Sequence, residues 1–220
     1  MVQLDPDARP SHRRLPRERS RRHARRSLVV ALVALVVTTL SAIPRDVSAV
    51  EKALLDGVNG LPDALEWPLW TVMQLGAIAA VPVVALLALL GWRRLRPALD
   101  LLVAGTLAWL LARVMKDLFG RGRPASFFDD VNLRGSVGIG DVGLGFPSGH
   151  ATVAFALAVV TFPYLSTRWR VVTVVVAAIV GFSRLYFGAH FPLDVLGGLS
   201  LGIAIAAGVH LVMDLLTHHH

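Results

Sequence analysis

The chain has 220 residues, 55% of them hydrophobic, no cysteine and a formal net charge of +7. A mean hydropathy of +0.61 excludes an ordinary soluble domain and fits one integral membrane domain with several spans. The missing cysteines exclude a disulfide frame and a thiolate metal site, and nine arginines between Arg9 and Arg26 carry the basic balance.

Residues 1–26 are polar, rich in Pro and Arg and without apolar periodicity. They read as a disordered cytoplasmic tail whose charge is a topology signal rather than a nucleic-acid or anionic-lipid patch. Six apolar runs follow, at about 27–43, 67–91, 98–115, 149–166, 169–187 and 193–216. The expected fold is all-α, a bundle of six transmembrane helices over 27–217. The first run could instead be a cleaved signal peptide with a small-residue site near Ser48-Ala49; a retained span is preferred. Pro82 predicts a kink in the second run.

Arg93, Arg94 and Arg96 lie between runs two and three, and Arg168 and Arg170 between runs four and five. With the basic tail they alternate as cytoplasmic segments should. The segments 44–66, 116–148 and 184–192 then face outward, which places any site built from them outside the inner membrane. Segment 46–66 has Val47, Val50, Leu54, Val58 and Leu61 at helical spacing with acids between, and is expected along the outer membrane surface. Segment 125–147 is glycine-rich and reads as a loop or hairpin covering a site. No internal repeat supports an inverted-repeat transporter. His218-His219-His220 reads as a tag remnant, and Asp129, Asp130 and Asp141 as solvated loop acids rather than a metal site.

The chemistry-bearing residues fall in three of the outward segments. Lys116 ends the third run, where the helix dipole favours a cation, in a chain with twenty arginines and only one other lysine, Lys52. Arg123 follows seven residues later. Pro147-Ser148-Gly149-His150 opens the fourth run: Ser148 can cap the helix, and Gly149 leaves its N–H open to an anion. His150 stands at that edge, able to give a proton to a departing oxygen. Between the last two runs, Arg184 offers a fork for phosphate oxygens. A helix starting near His190 would set Asp194 one turn on, where its carboxylate takes the Nδ1 proton and leaves Nε2 free to attack.

Lys-x6-Arg-Pro at 116–124, Pro-Ser-Gly-His at 147–150 and Ser-Arg-x5-His-x3-Asp at 183–194 are complete here. With them the chain resembles the type 2 phosphatidic acid phosphatase superfamily over about residues 46–216. The resemblance implies that His190 is a nucleophile forming a phosphohistidine, that Asp194 orients it, and that His150 protonates the leaving group and then activates water. It implies that Lys116, Arg123, Ser148, Gly149 and Arg184 hold the phosphoryl oxygens, with no metal and no cofactor. The implied substrate is a membrane lipid phosphate or diphosphate: polyprenyl diphosphate, phosphatidic acid or phosphatidylglycerophosphate. Arg113, Arg121 and Arg134 lie outside the signatures, and one of them is expected to meet a second phosphate or the lipid head group. A phosphotransferase using the same phosphohistidine and a non-catalytic scaffold or transporter are the rival readings.

Overall fold

The computed structural model describes residues 15–44, 46–135 and 143–216. Among them are eight α-helices: α1 (Leu15–Ala42), α2 (Ala49–Asn59), α3 (Glu66–Met73), α4 (Ala80–Trp92), α5 (Leu95–Phe119), α6 (Gly149–Val160), α7 (Thr167–Tyr186) and α8 (Pro192–Leu216). The sole β-type pairing among these residues is an isolated antiparallel bridge between Gly122 and Leu144. Of the loop or hairpin expected over 125–147, residues 136–142, with Asp141, lie outside the described residues.

Helix α6 is the centre. It packs against α5, α7 and α8, and Ala151, Val153, Ala156 and Val160 are buried with Leu101, Ala104, Ala108 and Leu201. Lipid tails are as apolar as leucine, so close van der Waals packing holds such helices together. Small residues supply that closeness. A Cβ on Gly198 would lie 2.6 Å from the Ser148 carbonyl oxygen, and one on Gly202 2.5 Å from that of Thr152.

Among the described residues, four helical stretches are long and apolar enough to cross a membrane: Arg21–Ala42, Leu95–Phe119, Thr167–Tyr186 and Pro192–Leu215. A fifth is counted if the pair Asp63–Gly76 and Ala80–Trp92, bent by 75°, is one span. Large apolar side chains such as Val29, Val36, Leu86, Leu90 and Leu110 stand exposed on these helices, as a lipid-facing belt requires. The chain is a multi-pass membrane protein.

Two expected runs differ from the structure. The second is broken instead of kinked at Pro82: a 3₁₀ turn at Gln74–Gly76 and extended backbone at Ala77 precede α4. Pro82 sits in the first turn of α4, where a missing N–H removes no helical bond. In the fourth run the apolar helix reaches only from Gly149 to Tyr164, finishing in a 3₁₀ turn at Phe162–Tyr164. At about 18 Å, α6 is shorter than the roughly 30 Å hydrocarbon layer. Surrounded by other helices, it has no need to reach both surfaces.

Helix α1 begins at Leu15, inside the stretch expected to be disordered. Packing along α8 and an ion pair from Arg21 to Asp214 offset the entropy of ordering it. Residues 1–14 and the terminal histidines lie outside the described residues.

Helix α2 uses two faces. Ser48 caps it by accepting the Glu51 N–H at 3.2 Å. Val50 and Leu54 point outward, 69% and 54% exposed, while Leu55 and Asn59 are buried against the bundle. The Asn59 amide donates to the carbonyls of Asn132 and Tyr186 and accepts the N–H of Asn132. Nearby, Arg134 donates to Asp63 and to the carbonyls of Asn59, Leu61 and Tyr186, and stacks 4.3 Å from the Tyr186 ring. Its donors are occupied by the fold, which removes it as the expected head-group arginine.

Candidate active site

Three helix ends converge on one cavity. The first is the C-terminus of α5. Gly120 caps it in the left-handed region, φ 59°, donating its N–H to the Lys116 carbonyl. The chain then turns back through Arg121–Arg123 toward the 143–147 segment. Lys116 Nζ donates to the carbonyls of Leu144 at 2.5 Å and Gly145 at 3.1 Å, and Arg123 Nε donates to that of Leu144 at 3.4 Å.

The second is the N-terminus of α6. Ser148 stands at the cap position, but its hydroxyl makes no capping bond and is buried without a hydrogen-bond partner. The expected cap is thus corrected: the Ser148 N–H is held by the Asp194 carbonyl at 2.9 Å, and the hydroxyl is spare. A Cβ on Gly149 would meet nothing within 4 Å. Packing does not demand a glycine there; the open side belongs to the cavity that Gly149 and His150 line.

The third is the turn from α7 to α8. Arg184, near the end of α7, is buried; one of its amino groups donates to Met73 Sδ at 3.0 Å and its Nε has no partner. His190 precedes α8, with Pro192 at the first helical position. Asp194 lies one turn on, as the spacing predicts, with Oδ2 3.4 Å from His190 Nδ1. That contact lacks hydrogen-bond geometry. Both carboxylate oxygens are otherwise engaged: Oδ2 accepts the Phe191 N–H and Oδ1 accepts Arg121 Nη1, each at 2.9 Å.

The shared cavity has a volume of about 740 Å³. Lys116, Arg123, Gly149, His150, Arg184 and His190 line it, while Ser148 and Asp194 stand behind that lining. Arg113 joins them, so among the described residues four cations face a single lining carboxylate, Asp117. Trp70, Met73, Ile78, Trp109 and Ala112 form an apolar wall. Burial, then the charges of Lys116, Arg184, Arg123 and His150, hold His190 well below the ordinary histidine pKa. Its imidazole is therefore neutral at neutral pH, the form that can attack. Burial also lowers Arg123, partly countered by Asp194.

Arg121 is the main departure. It is fully enclosed, with Nη2 donating to Glu51 Oε2 and Nη1 to Asp194, both at 2.9 Å. It does not line the cavity, which removes it, like Arg134, as the expected second-phosphate arginine. Glu51 escaped sequence reasoning. Its signal was an acid four residues before a buried leucine and eight before a buried asparagine on α2, the face opposite Val50 and Leu54. The wall made by Met73 also escaped notice, because the break after α3 has no proline or other strong marker.

A family model described as PAP2 superfamily matches residues 74–217. A Rhizobium etli protein named lipid A 1-phosphatase is 37% identical over 94 residues, 42% of this chain and 40% of that protein. A Sulfolobus acidocaldarius protein named undecaprenyl-diphosphatase is 32% identical over 123 residues, 56% of this chain and 57% of that protein. The chain thus spans about half the length of these two relatives. The crystal structure of a transmembrane PAP2-type phosphatidylglycerolphosphate phosphatase from Bacillus subtilis matches with a TM-score of 0.66 at 25% identity, over 86% of this chain and 96% of that one.

Proposed function

Because the chain belongs to the PAP2 superfamily, we propose that it hydrolyses a membrane lipid phosphate or diphosphate through a phosphohistidine. The observation that carries this reading is the cavity's charge: among the described residues, four cations against one carboxylate beside two histidines. Arg184, which lines the cavity, adds an unpartnered Nε that phosphoryl oxygens would satisfy.

His190 attacks phosphorus through a ring nitrogen. An N–P bond forms as the bond to the leaving oxygen breaks, and His150 gives that oxygen a proton. Neutral His150 then takes a proton from water, and the resulting attack breaks the N–P bond and frees phosphate. Asp194 faces the positive charge that develops on His190. Lys116, Arg123, Ser148, the Gly149 N–H and Arg184 hold the three equatorial oxygens. Cations fixed before reaction supply the charge neutralisation, and the cycle calls for no metal or cofactor.

The substrate is an amphiphile whose phosphate enters the cationic side while its chain lies along the wall of Trp70, Ile78 and Trp109. The relatives' names cover lipid A, undecaprenyl diphosphate and phosphatidylglycerophosphate. Arg113 stands three residues before Lys116 on α5, about 4.5 Å along the axis. That spacing suits a second phosphate and favours a diphosphate. The charge alternation supports six crossings, α6 being the short enclosed one, with the cavity on the outer side of the inner membrane.

Detergent-solubilised protein should release phosphate from polyprenyl diphosphate, phosphatidylglycerophosphate or phosphatidic acid in the presence of EDTA. It should also give an acid-labile phosphoenzyme that His190→Ala loses. Release from none of them, or full activity in a folded His190→Ala protein, overturns the reading. Labelled phosphate passing to a second lipid instead of water would make it a phosphotransferase. Arg113→Ala should weaken diphosphate turnover more than monophosphate turnover.

A further inference from the structure

Attack by His190 leaves its imidazole positively charged, so the negative charge on Asp194 must stay directed at that ring. Asp194 does not stand alone. Its Oδ1 accepts Arg121 Nη1 at 2.9 Å, and Arg121 Nη2 donates to Glu51 Oε2 at 2.9 Å. Arg121 is 0% exposed, and its guanidinium sits 5.0 Å from the Phe191 ring centre. The other Glu51 oxygen accepts the Leu193 N–H at 3.4 Å, in the turn that carries His190 and Asp194. Charges therefore alternate from the reacting ring outward: His190 during attack, Asp194, Arg121, Glu51.

An enclosed arginine with one carboxylate would draw that carboxylate's charge toward itself. A second carboxylate divides the pull. We propose that Glu51, on α2 and ahead of the stretch matched by the family, is a positioning residue for the phosphoryl transfer: it balances Arg121 so that Asp194 keeps its charge and aim for His190. The inference rests on the reading of His190 and Asp194 as the reacting pair. It makes the docking of a surface helix, whose Val50 and Leu54 face outward, part of what completes the site.

The test compares Glu51→Gln, Glu51→Asp and Asn59→Ala with the parent, and with His190→Ala. Asn59 ties the same helix to the bundle through the Asn132 and Tyr186 carbonyls without belonging to the charge chain. Glu51→Gln should lower kcat about 10-fold with KM unchanged, the rate equivalent of a weak charge-assisted hydrogen bond. Losing a negative charge disfavours protonation of His190, so the acid limb of kcat/KM should move to lower pH. His190 is also faced by Lys116, Arg123, His150 and Arg184, and Asp194 by Lys116 and Arg121. All of these persist in the Glu51 and Asn59 variants, so the movement reads Glu51.

Glu51→Asp should restore the limb and part of kcat. Asn59→Ala should lower the unfolding temperature and leave the limb in place. Parent-like kcat and limb in Glu51→Gln, or the same limb shift in Asn59→Ala, overturn the proposal. If Glu51→Gln does not fold, Arg121→Lys carries the test: an ammonium cannot hold both carboxylates as the guanidinium fork does. It should show the same fall in kcat at constant KM, and parent-like kcat there is equally fatal. Activity surviving in His190→Ala would instead sink the reading of the site itself.

Discussion

Among the described residues, three arginines are almost completely enclosed: Arg121, Arg134 and Arg184, at 0%, 7% and 4% exposure. Arg121 ends on two carboxylates, and Arg134 on one carboxylate and three carbonyls. Arg184 ends on a thioether sulfur, with Nε unpartnered. Burying a guanidinium is costly unless an anion or several acceptors meet it. For the first two the protein supplies the compensation. For Arg184, lining the cavity beside Lys116 and Arg123, the proposed function has the compensating anion arrive with the substrate. Equal burial thus separates a brace behind the site from a group held ready for a ligand.

The sharpest way to break this contrast is to remove one arginine from each region. Arg184→Ala should cost about 10²- to 10³-fold in kcat/KM, the range for a fixed donor to transition-state charge. It should leave the unfolding temperature unchanged or raised, because an uncompensated buried charge goes with it. Arg134→Ala should do the reverse. Stranding the carbonyls of Asn59 and Leu61 should cost about 3 kcal/mol in denaturant unfolding, while the folded fraction keeps its kcat. Large destabilisation by Arg184→Ala with intact activity would erase the distinction.

Gly149→Ala sharpens the comparison at the cavity's edge. The protein leaves room for the methyl group, and alanine is the better helix former by up to about 1 kcal/mol. Stability should hold or rise while kcat/KM falls about 10-fold, if that room belongs to the phosphate. Unaltered turnover would move the phosphoryl position away from α6.

The smallest effect concerns pH. His190 is held below its ordinary value by burial and by the cations around it. As pH falls past about 6.5, the unfolded chain binds a proton that the folded site refuses. Stability from this group is therefore present above that pH and lost below it, by at most about 1.4 kcal/mol per pH unit. Unfolding titrations of the parent and of His190→Gln should diverge below pH 6.5 and coincide above it; parallel curves throughout would show that the ring is not held neutral.

The helical class and the three chemistry-bearing segments were legible because each depends on local order. Apolar runs declare membrane helices, and Lys116 to Arg123, Ser148 to His150 and Arg184 to Asp194 are short-range spacings. The failures share a different character. Hydropathy does not distinguish a helix facing lipid from one facing other helices, so it did not show that α6 is short and enclosed or that α3 and α4 are bent apart. Arg113, Arg121 and Arg134 looked alike in sequence. Only their neighbours, more than 50 residues away for two of them, show which ones the fold has already used.

What the sequence determined alone is the chemical inventory: two histidines, a carboxylate and a set of cations at the ends of apolar helices, in an order shared with one family of phosphatases. Tertiary structure decided the division of labour among them. Charge effects follow distance and burial rather than chain position, so the pairing of Glu51 with Arg121, and the placing of Arg184 on the cavity wall instead of against an acid, exist only once α2, α5, α7 and α8 are packed together.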